Sequence, residues 1–236
     1  MEYRLKKDGL IISAYLNGSN SSLVIAPGLP QQITKYHPIV EQARNNNVNL
    51  FIPHYPGTYD SDGEFTIVSA TKALEQTIEL VKSGSANELY SYSKLTWGTD
   101  GVFVLGFSFG ALPALLQESV VDKTILLCPF VSLDFHLDNA PYRTENIIHT
   151  LDFISRAYPN TYRFDKQKFI DGLRNVKYPN TKDNLVVVSK SDDTSIPREE
   201  LDFIKKRYKC DSDELPGGHS LSLDDDALTA LLEAEK

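Results

Sequence analysis

The sequence is poor in cysteine. Cys128 and Cys210 are the two it has, and neither stands in a spacing that would make a metal site or a redox pair. Each falls beside a strand-like run, so both are expected to be buried free thiols. Also missing is any apolar run approaching the ~20 residues of a transmembrane helix, which argues against a membrane span. Basic residues are outnumbered, 24 Lys and Arg against 32 Asp and Glu, for a net charge of −8. With no Lys/Arg stripe on any segment, that balance argues against a nucleic-acid-binding surface. Arg4, Lys6 and Lys7 lie near the start without the apolar core of a signal peptide behind them, and a cytoplasmic location is the expectation. Internal repeats and linker-like stretches are lacking too, so the chain is read as one domain, 1–236.

What is present is an ordinary globular composition, 41% hydrophobic and 24% charged, organised around one stretch. Val102-Phe103-Val104-Leu105 is a short apolar run of β-branched and aromatic residues, which reads as a buried strand. It leads into Gly106-Phe107-Ser108-Phe109-Gly110, and after Pro113 the sequence Ala114-Leu115-Leu116-Gln117-Glu118 is good helix material. A strand turning into a helix through Gly-x-Ser-x-Gly is a nucleophile elbow. A serine at such a strained turn needs neighbours without bulk, and Gly106 and Gly110 meet that need. The same turn places the Phe109 N–H at a helix N-terminus, where negative charge is stabilised.

The rest of the chain alternates strands and helices. Residues 2–8 and 10–16 read as a hairpin about Asp8-Gly9, and Asn17–Ser22 as a loop. Leu23–Ala26 is a buried strand before Pro27-Gly28-Leu29-Pro30. A helix over Tyr36–Asn46 carries Pro38 in its first turn, and Val48–Pro53 is the next strand. Ile67, Ala70, Leu74, Ile78 and Val81 predict a helix over 66–82. The polar, Tyr-rich stretch 83–100 reads as an insertion or extended loop. Lys123–Phe130 and Leu185–Ser189 are strands, Pro197–Tyr208 is a helix, Cys210–Leu215 a short strand, and a last helix over Asp224–Glu233 opens on a solvated acidic start. Between two of the strands, 132–184 holds helical patterns near 144–157 and 165–175. It is too long for a plain crossover, and is read as a small cap. Such alternation implies a mostly parallel, doubly wound sheet flanked by helices.

A serine hydroxyl needs a base, and the base an orienting acid. Asp192 and Asp193 both follow the strand at 185–189, on the sheet edge where α/β sites are built. His219, on the loop Pro216-Gly217-Gly218-His219-Ser220 after the last strand, is the candidate base. His54 lies beside a strand end, His37 at a helix start, and His136 and His149 in the cap segment; all four are assigned structural or solvent-exposed places.

Taken together these parts resemble the α/β-hydrolase superfamily over nearly the whole chain, apart from 83–100 and 132–184. The family's order of serine, acid and histidine implies Ser108, Asp193 and His219. Asp193 rather than Asp192 fits the family's acid loop, four residues ahead of Pro197. The resemblance implies an oxyanion hole from the backbone N–H groups of Leu29 and Phe109, with Pro27 standing where the family usually has histidine. Gly57–Gly63 resembles the family's Gly-x-Gly-x-Ser-x-Gly loop, with Tyr59 for the middle glycine and no chemistry implied.

Serine at the elbow argues against relatives that use Asp or Cys there. The implied activity is hydrolysis of a small or medium carboxylic ester through an acyl-enzyme. It requires no metal or organic cofactor and takes a small-molecule acyl substrate, with no nucleic-acid partner. A peptidase or acyl-peptide hydrolase, and then a thioesterase, follow as alternatives. A binding module on an inactive scaffold is the rival from another class.

Overall fold

The computed structural model describes residues 1–29, 36–131 and 141–232. Pro30, His136, Glu233 and the first residues of the 132–184 segment lie outside the described residues. Strands β1 (Glu2–Lys7), β2 (Leu10–Tyr15), β3 (Ser21–Ala26), β4 (Asn49–Pro53), β7 (Gly101–Phe107), β8 (Lys123–Leu127), β9 (Leu185–Lys190) and β10 (Asp211–Leu215) form one sheet in the order β1-β2-β4-β3-β7-β8-β9-β10. Two further short strands, β5 (Ser85–Asn87) and β6 (Lys94–Thr96), make a separate hairpin. The pairs β1/β2 and β2/β4 are antiparallel, and every pair from β4 to β10 is parallel.

The β1–β2 turn is Asp8-Gly9, with φ of 49° and 83°. Two successive positive φ values are what a turn matching the strands' twist demands, and Asp-Gly supplies them cheaply. The central strands read as near-continuous apolar runs because both faces are covered. Their side chains alternate: Val24, Val102, Val104 and Leu126 join one core, and Leu23, Ile25, Phe103 and Leu105 the other. Helices α1 (His37–Asn45) and α7 (Asp225–Leu232) cover the second face through Ile39, Val40, Leu228 and Leu231. The first face takes α2 (Ile67–Lys82), α3 (Ala111–Leu116) and α6 (Arg198–Arg207). From the inserted segment α4 (Pro141–Ala157) and α5 (Lys166–Arg174) also reach that face, through Ile148, Leu151, Phe169 and Leu173.

From β3 the chain steps outward to β4, then returns across β3 to β7 and moves the other way through β8, β9 and β10. The strand order thus reverses at the β3–β7 pair, whose last register is Ala26 against Gly106. Loops after the carboxyl ends of two such strands diverge and leave a crevice. That is where Pro27–Leu29 and Ser108 sit.

Several boundaries differ from the sequence reading. The helix after the elbow begins at Ala111, ahead of Pro113 rather than after it, and stops at Leu116. Proline is tolerated there because the first-turn N–H groups have no intrahelical partner in any case. Strand β8 ends at Leu127, because Cys128 turns to a φ of 47°. Cys210 precedes β10 and is half-buried rather than buried. The stretch 83–100 covers the sheet edge: Leu89 N–H donates to Arg4 O at 2.7 Å, and the Trp97 ring packs on Phe51 at 5.1 Å.

Candidate active site

Three loops at the carboxyl ends of β7, β9 and β10 build the site. Ser108 has a φ of 52°. A non-glycine residue held there stores roughly 1–3 kcal/mol of strain, which the packing must enforce. It does so through the two elbow glycines. A methyl on Gly106 would lie 2.6 Å from Gly110 O, and one on Gly110 would lie 1.9 Å from Ala26 O and 2.7 Å from Pro27 O. The elbow is therefore wedged against the end of β3 at contacts no side chain could share. Ser108 O accepts from Phe130 N–H at 3.1 Å, which ties the elbow to the segment after β8.

The structure brings together the serine and both its expected partners. His219 Nε2 lies 3.0 Å from Ser108 Oγ, and His219 Nδ1 lies 2.8 Å from Asp193 Oδ2. A carboxylate can only accept from a ring nitrogen, so Nδ1 carries the proton and Nε2 offers its lone pair to the serine. The imidazole leans on the Phe107 ring at 5.0 Å. Asp193, whose side chain is 4% exposed, also accepts the Ser195 N–H at Oδ1, 2.7 Å. Burial works to raise its carboxyl; hydrogen bonds from His219, Ser195 N–H and Cys128 outweigh that and hold it below the usual carboxylate range. Asp192 is exposed, and its backbone N–H donates to Gly217 O at 3.0 Å. Its place in the structure is a tie between the two loops.

That tie is one of several the sequence did not announce. Ser191 N–H donates to Leu215 O at 3.0 Å, which carries the β9–β10 pairing one step past the strands. Lys190, a buried lysine, extends its amine to Ser220 Oγ at 3.0 Å and to Ser222 O, and so fixes the loop that bears His219. Burial lowers its pKa. A lysine closing an apolar strand was the only visible signal.

On the opposite wall, Leu29 shares with Ser108 an open cavity of 390 Å³, together with Phe130, Asn146, Ile147, Ser195, Ile196 and His219. The turn carrying Leu29 is held by Tyr55, whose buried hydroxyl donates to Pro27 O at 3.0 Å. The Phe109 ring packs inward against Tyr55, Phe65 and Phe169 at 6.3, 5.7 and 6.2 Å, leaving its backbone N–H at the start of the helix. A smaller recess of 120 Å³, lined by Leu29, Ile147 and Leu151 with Asn146 and Thr150, adjoins the cavity.

The other described histidines stand apart from this relay. His54 is buried on the antiparallel side, 2.9 Å from the Arg4 guanidinium and 3.1 Å from Ser13 Oγ. Burial, then Arg4, bring its pKa down to about 3. His37 and His149 are exposed. Cys128 reaches the site itself: its sulfur, a carboxylate oxygen of Asp193 and a ring nitrogen of His219 lie within 4.8 Å of one another. Burial, then the Asp193 carboxylate, push the thiol up to about 12, which keeps it protonated rather than a thiolate ligand. Among the described residues no helix is long and apolar enough to cross a membrane.

No protein-family model matches the sequence, and no curated protein is a significant match. Solved structures do match over nearly the full chain. An esterase of Pyrococcus furiosus is 15% identical, with a TM-score of 0.64 over 98% of this chain and 89% of its own. A serine α/β hydrolase from Xanthomonas campestris, described as lacking a lid, is 15% identical, with a TM-score of 0.58 over 98% and 91%. An epoxide hydrolase of the same superfamily, from hot-environment metagenomes, is 12% identical, with a TM-score of 0.66 over 100% and 99%. At such identities the likeness is one of fold.

Proposed function

Because this chain has the α/β-hydrolase fold, we propose that it is a serine hydrolase that cleaves a small or medium carboxylic ester through an acyl-enzyme. The observation that carries this reading is the unbroken relay from Asp193 through His219 to Ser108, at 2.8 and 3.0 Å. Ser108 Oγ attacks the carbonyl carbon as its proton passes to His219 Nε2. The imidazolium that forms is stabilised by Asp193 across Nδ1–H. The carbonyl oxygen takes up the negative charge against the N–H groups of Leu29 and Phe109; each such donor is worth roughly 3 kcal/mol of barrier. His219 then returns the proton to the departing alcohol as the carbon–oxygen bond breaks. A water repeats the sequence: its oxygen bonds to the acyl carbon, its proton goes to His219, and Ser108 leaves with that proton.

The described cavity wall is apolar at Leu29, Phe130, Ile147 and Ile196, and its one titratable member besides the serine is His219. A neutral acyl group suits such a wall better than a charged one. We read 132–184 as a cap, since α4 contributes Asn146 and Ile147 to the cavity.

The test is a fluorophosphonate probe followed by a panel of p-nitrophenyl esters of graded chain length, with thioester and aminoacyl-nitroanilide substrates alongside. The expected result is labelling at Ser108, hydrolysis of short and medium esters, and loss of both in Ser108→Ala. A folded wild-type protein that resists the probe and turns over no substrate would leave the binding-module reading in its place.

A further inference from the structure

The residue just past β8 brings one more group to the acid. Cys128 is 1% exposed, has a φ of 47°, and donates its N–H to Val188 O at 2.8 Å, which continues the β8–β9 ladder by one rung. This backbone pose sets its side chain at the end of β9, where its sulfur, an Asp193 carboxylate oxygen and a His219 ring nitrogen lie within 4.8 Å of one another. An ionised carboxylate has about four acceptor sites. In Asp193, Oδ1 accepts Ser195 N–H and Oδ2 faces His219 Nδ1, so a further donor has lone pairs to meet. The Asp193 side chain is 4% exposed, so a protein donor close to it is favoured for that place.

We propose that Cys128 is a positioning residue for the reaction: its S–H donates to Asp193, fixes the carboxylate in the plane that meets His219 Nδ1, and takes up part of its charge. The proposal rests on the reading of Ser108, His219 and Asp193 as the working triad. Burial and the facing carboxylate push the thiol up to about 12, so it remains a donor through the working pH range. Among the described residues, Arg198, Asp202, Lys205, Asp213 and Glu214 line the open cavity that Cys128 and Asp193 share, and two charged or titratable groups stand nearer the pair. They are His219 from the loop after β10, and Lys190 from the end of β9, with Asp224 facing Lys190 in turn. A carboxylate stripped of one donor is the stronger base, and it holds a proton on the neighbouring imidazole more firmly. Removing the thiol should therefore move the acid limb of the pH–rate profile to higher pH.

The experiment compares wild type, Cys128→Ala and Cys128→Ser for kcat, KM and the pH profile of kcat/KM on a p-nitrophenyl ester. Melting temperatures and the low-field proton resonance of His219 Nδ1–H are recorded on the same samples. Cys128→Ala should lose about 3- to 10-fold in kcat with KM little changed, and its acid limb should move up by roughly half a pH unit. Cys128→Ser keeps a donor, so its limb should stay with wild type or move the opposite way, and its kcat should recover.

A Cys128→Ala protein of normal melting temperature with wild-type kcat, pH profile and proton resonance would overturn the proposal. So would a folded Cys128→Ser protein whose acid limb moves up as the alanine variant's does, and this arm stands even if the alanine variant fails to fold. Asp193→Asn is run in parallel: if it hydrolyses the ester as wild type does, the triad reading falls. If it is inactive while both Cys128 variants behave as wild type, only the thiol's role falls.

Discussion

Replacing Gly110 by alanine sets local preference directly against packing. Gly110 sits at φ −61° and ψ −17°, a helical conformation open to any residue. Helix propensity alone would therefore have Gly110→Ala stabilise the protein by about 1 kcal/mol. The structure dictates the reverse. The new methyl carbon would stand 1.9 Å from Ala26 O and 2.5 Å from Ala26 C, where a carbon–oxygen contact needs roughly 3.3 Å. The end of β3 must then withdraw by more than an ångström from the elbow. Ala26 pairs with Gly106 at the last register of the β3–β7 ladder, so its hydrogen bonds stretch or break at about 1 kcal/mol each. Overpacking adds about 1–3 kcal/mol.

With two such bonds lost and the helix-propensity gain set against them, the net expectation is a loss of roughly 2–4 kcal/mol in urea unfolding. Ester hydrolysis should fall further, because the displaced backbone leads straight into the turn bearing Leu29. Gly172→Ala in α5 is the control: its methyl would meet nothing closer than Ile67 Cβ at 3.9 Å, and about 1 kcal/mol of added stability is expected. A Gly110→Ala protein within 1 kcal/mol of wild type and fully active would refute the argument from close approach.

Other substitutions divide the site by role. Asp193→Asn should lower kcat by about 10⁴ by disordering the imidazole tautomer; Asp192→Asn, at an exposed carboxylate, should stay within about twofold of wild type, and steady-state kinetics of the pair checks the assignment. Tyr55→Phe removes the donor to Pro27 O and should cost about 1 kcal/mol of stability in chemical denaturation, with a fall in kcat at unchanged KM as the Leu29 turn loosens. His54 has its pKa brought from 6.5 down to about 3, so the native state refuses a proton that the unfolded chain takes up. Stability is full above pH 6.5 and declines below it, by at most roughly 1.4 kcal/mol per pH unit, until the native pKa is reached. His54→Gln should flatten melting temperature against pH in that window; an unchanged slope would show that other groups set it.

The parts legible in the sequence are those whose cause is local. Gly106-Phe107-Ser108-Phe109-Gly110 after an apolar run announces its own turn, because the steric demand falls on those same residues. Asp8-Gly9 is legible for the same reason. The helix after the elbow was misplaced by three residues, since Pro113 reads as a starting point although a first turn accommodates it. Cys128 looked like one more residue of an apolar strand. Its positive φ and its aim at Asp193 depend on how β8 ends against β9, and no neighbour in sequence reports that. The hairpin over 83–100 was opaque because its partners, Arg4, Phe51 and Val81, are polar backbone and core groups far away or on another element.

By itself, then, the sequence determined the alternation of strands and helices, the strained serine and the chain order of its partners, because period, propensity and turn chemistry act over a few residues. Tertiary structure alone decided that Lys190 and Cys128 lie against the site, and that Tyr55 holds the turn bearing Leu29. Each of these is a distance between segments brought together when the strand order reverses at β3 and β7. Such a distance is settled by packing across the sheet, not by the residues on either side.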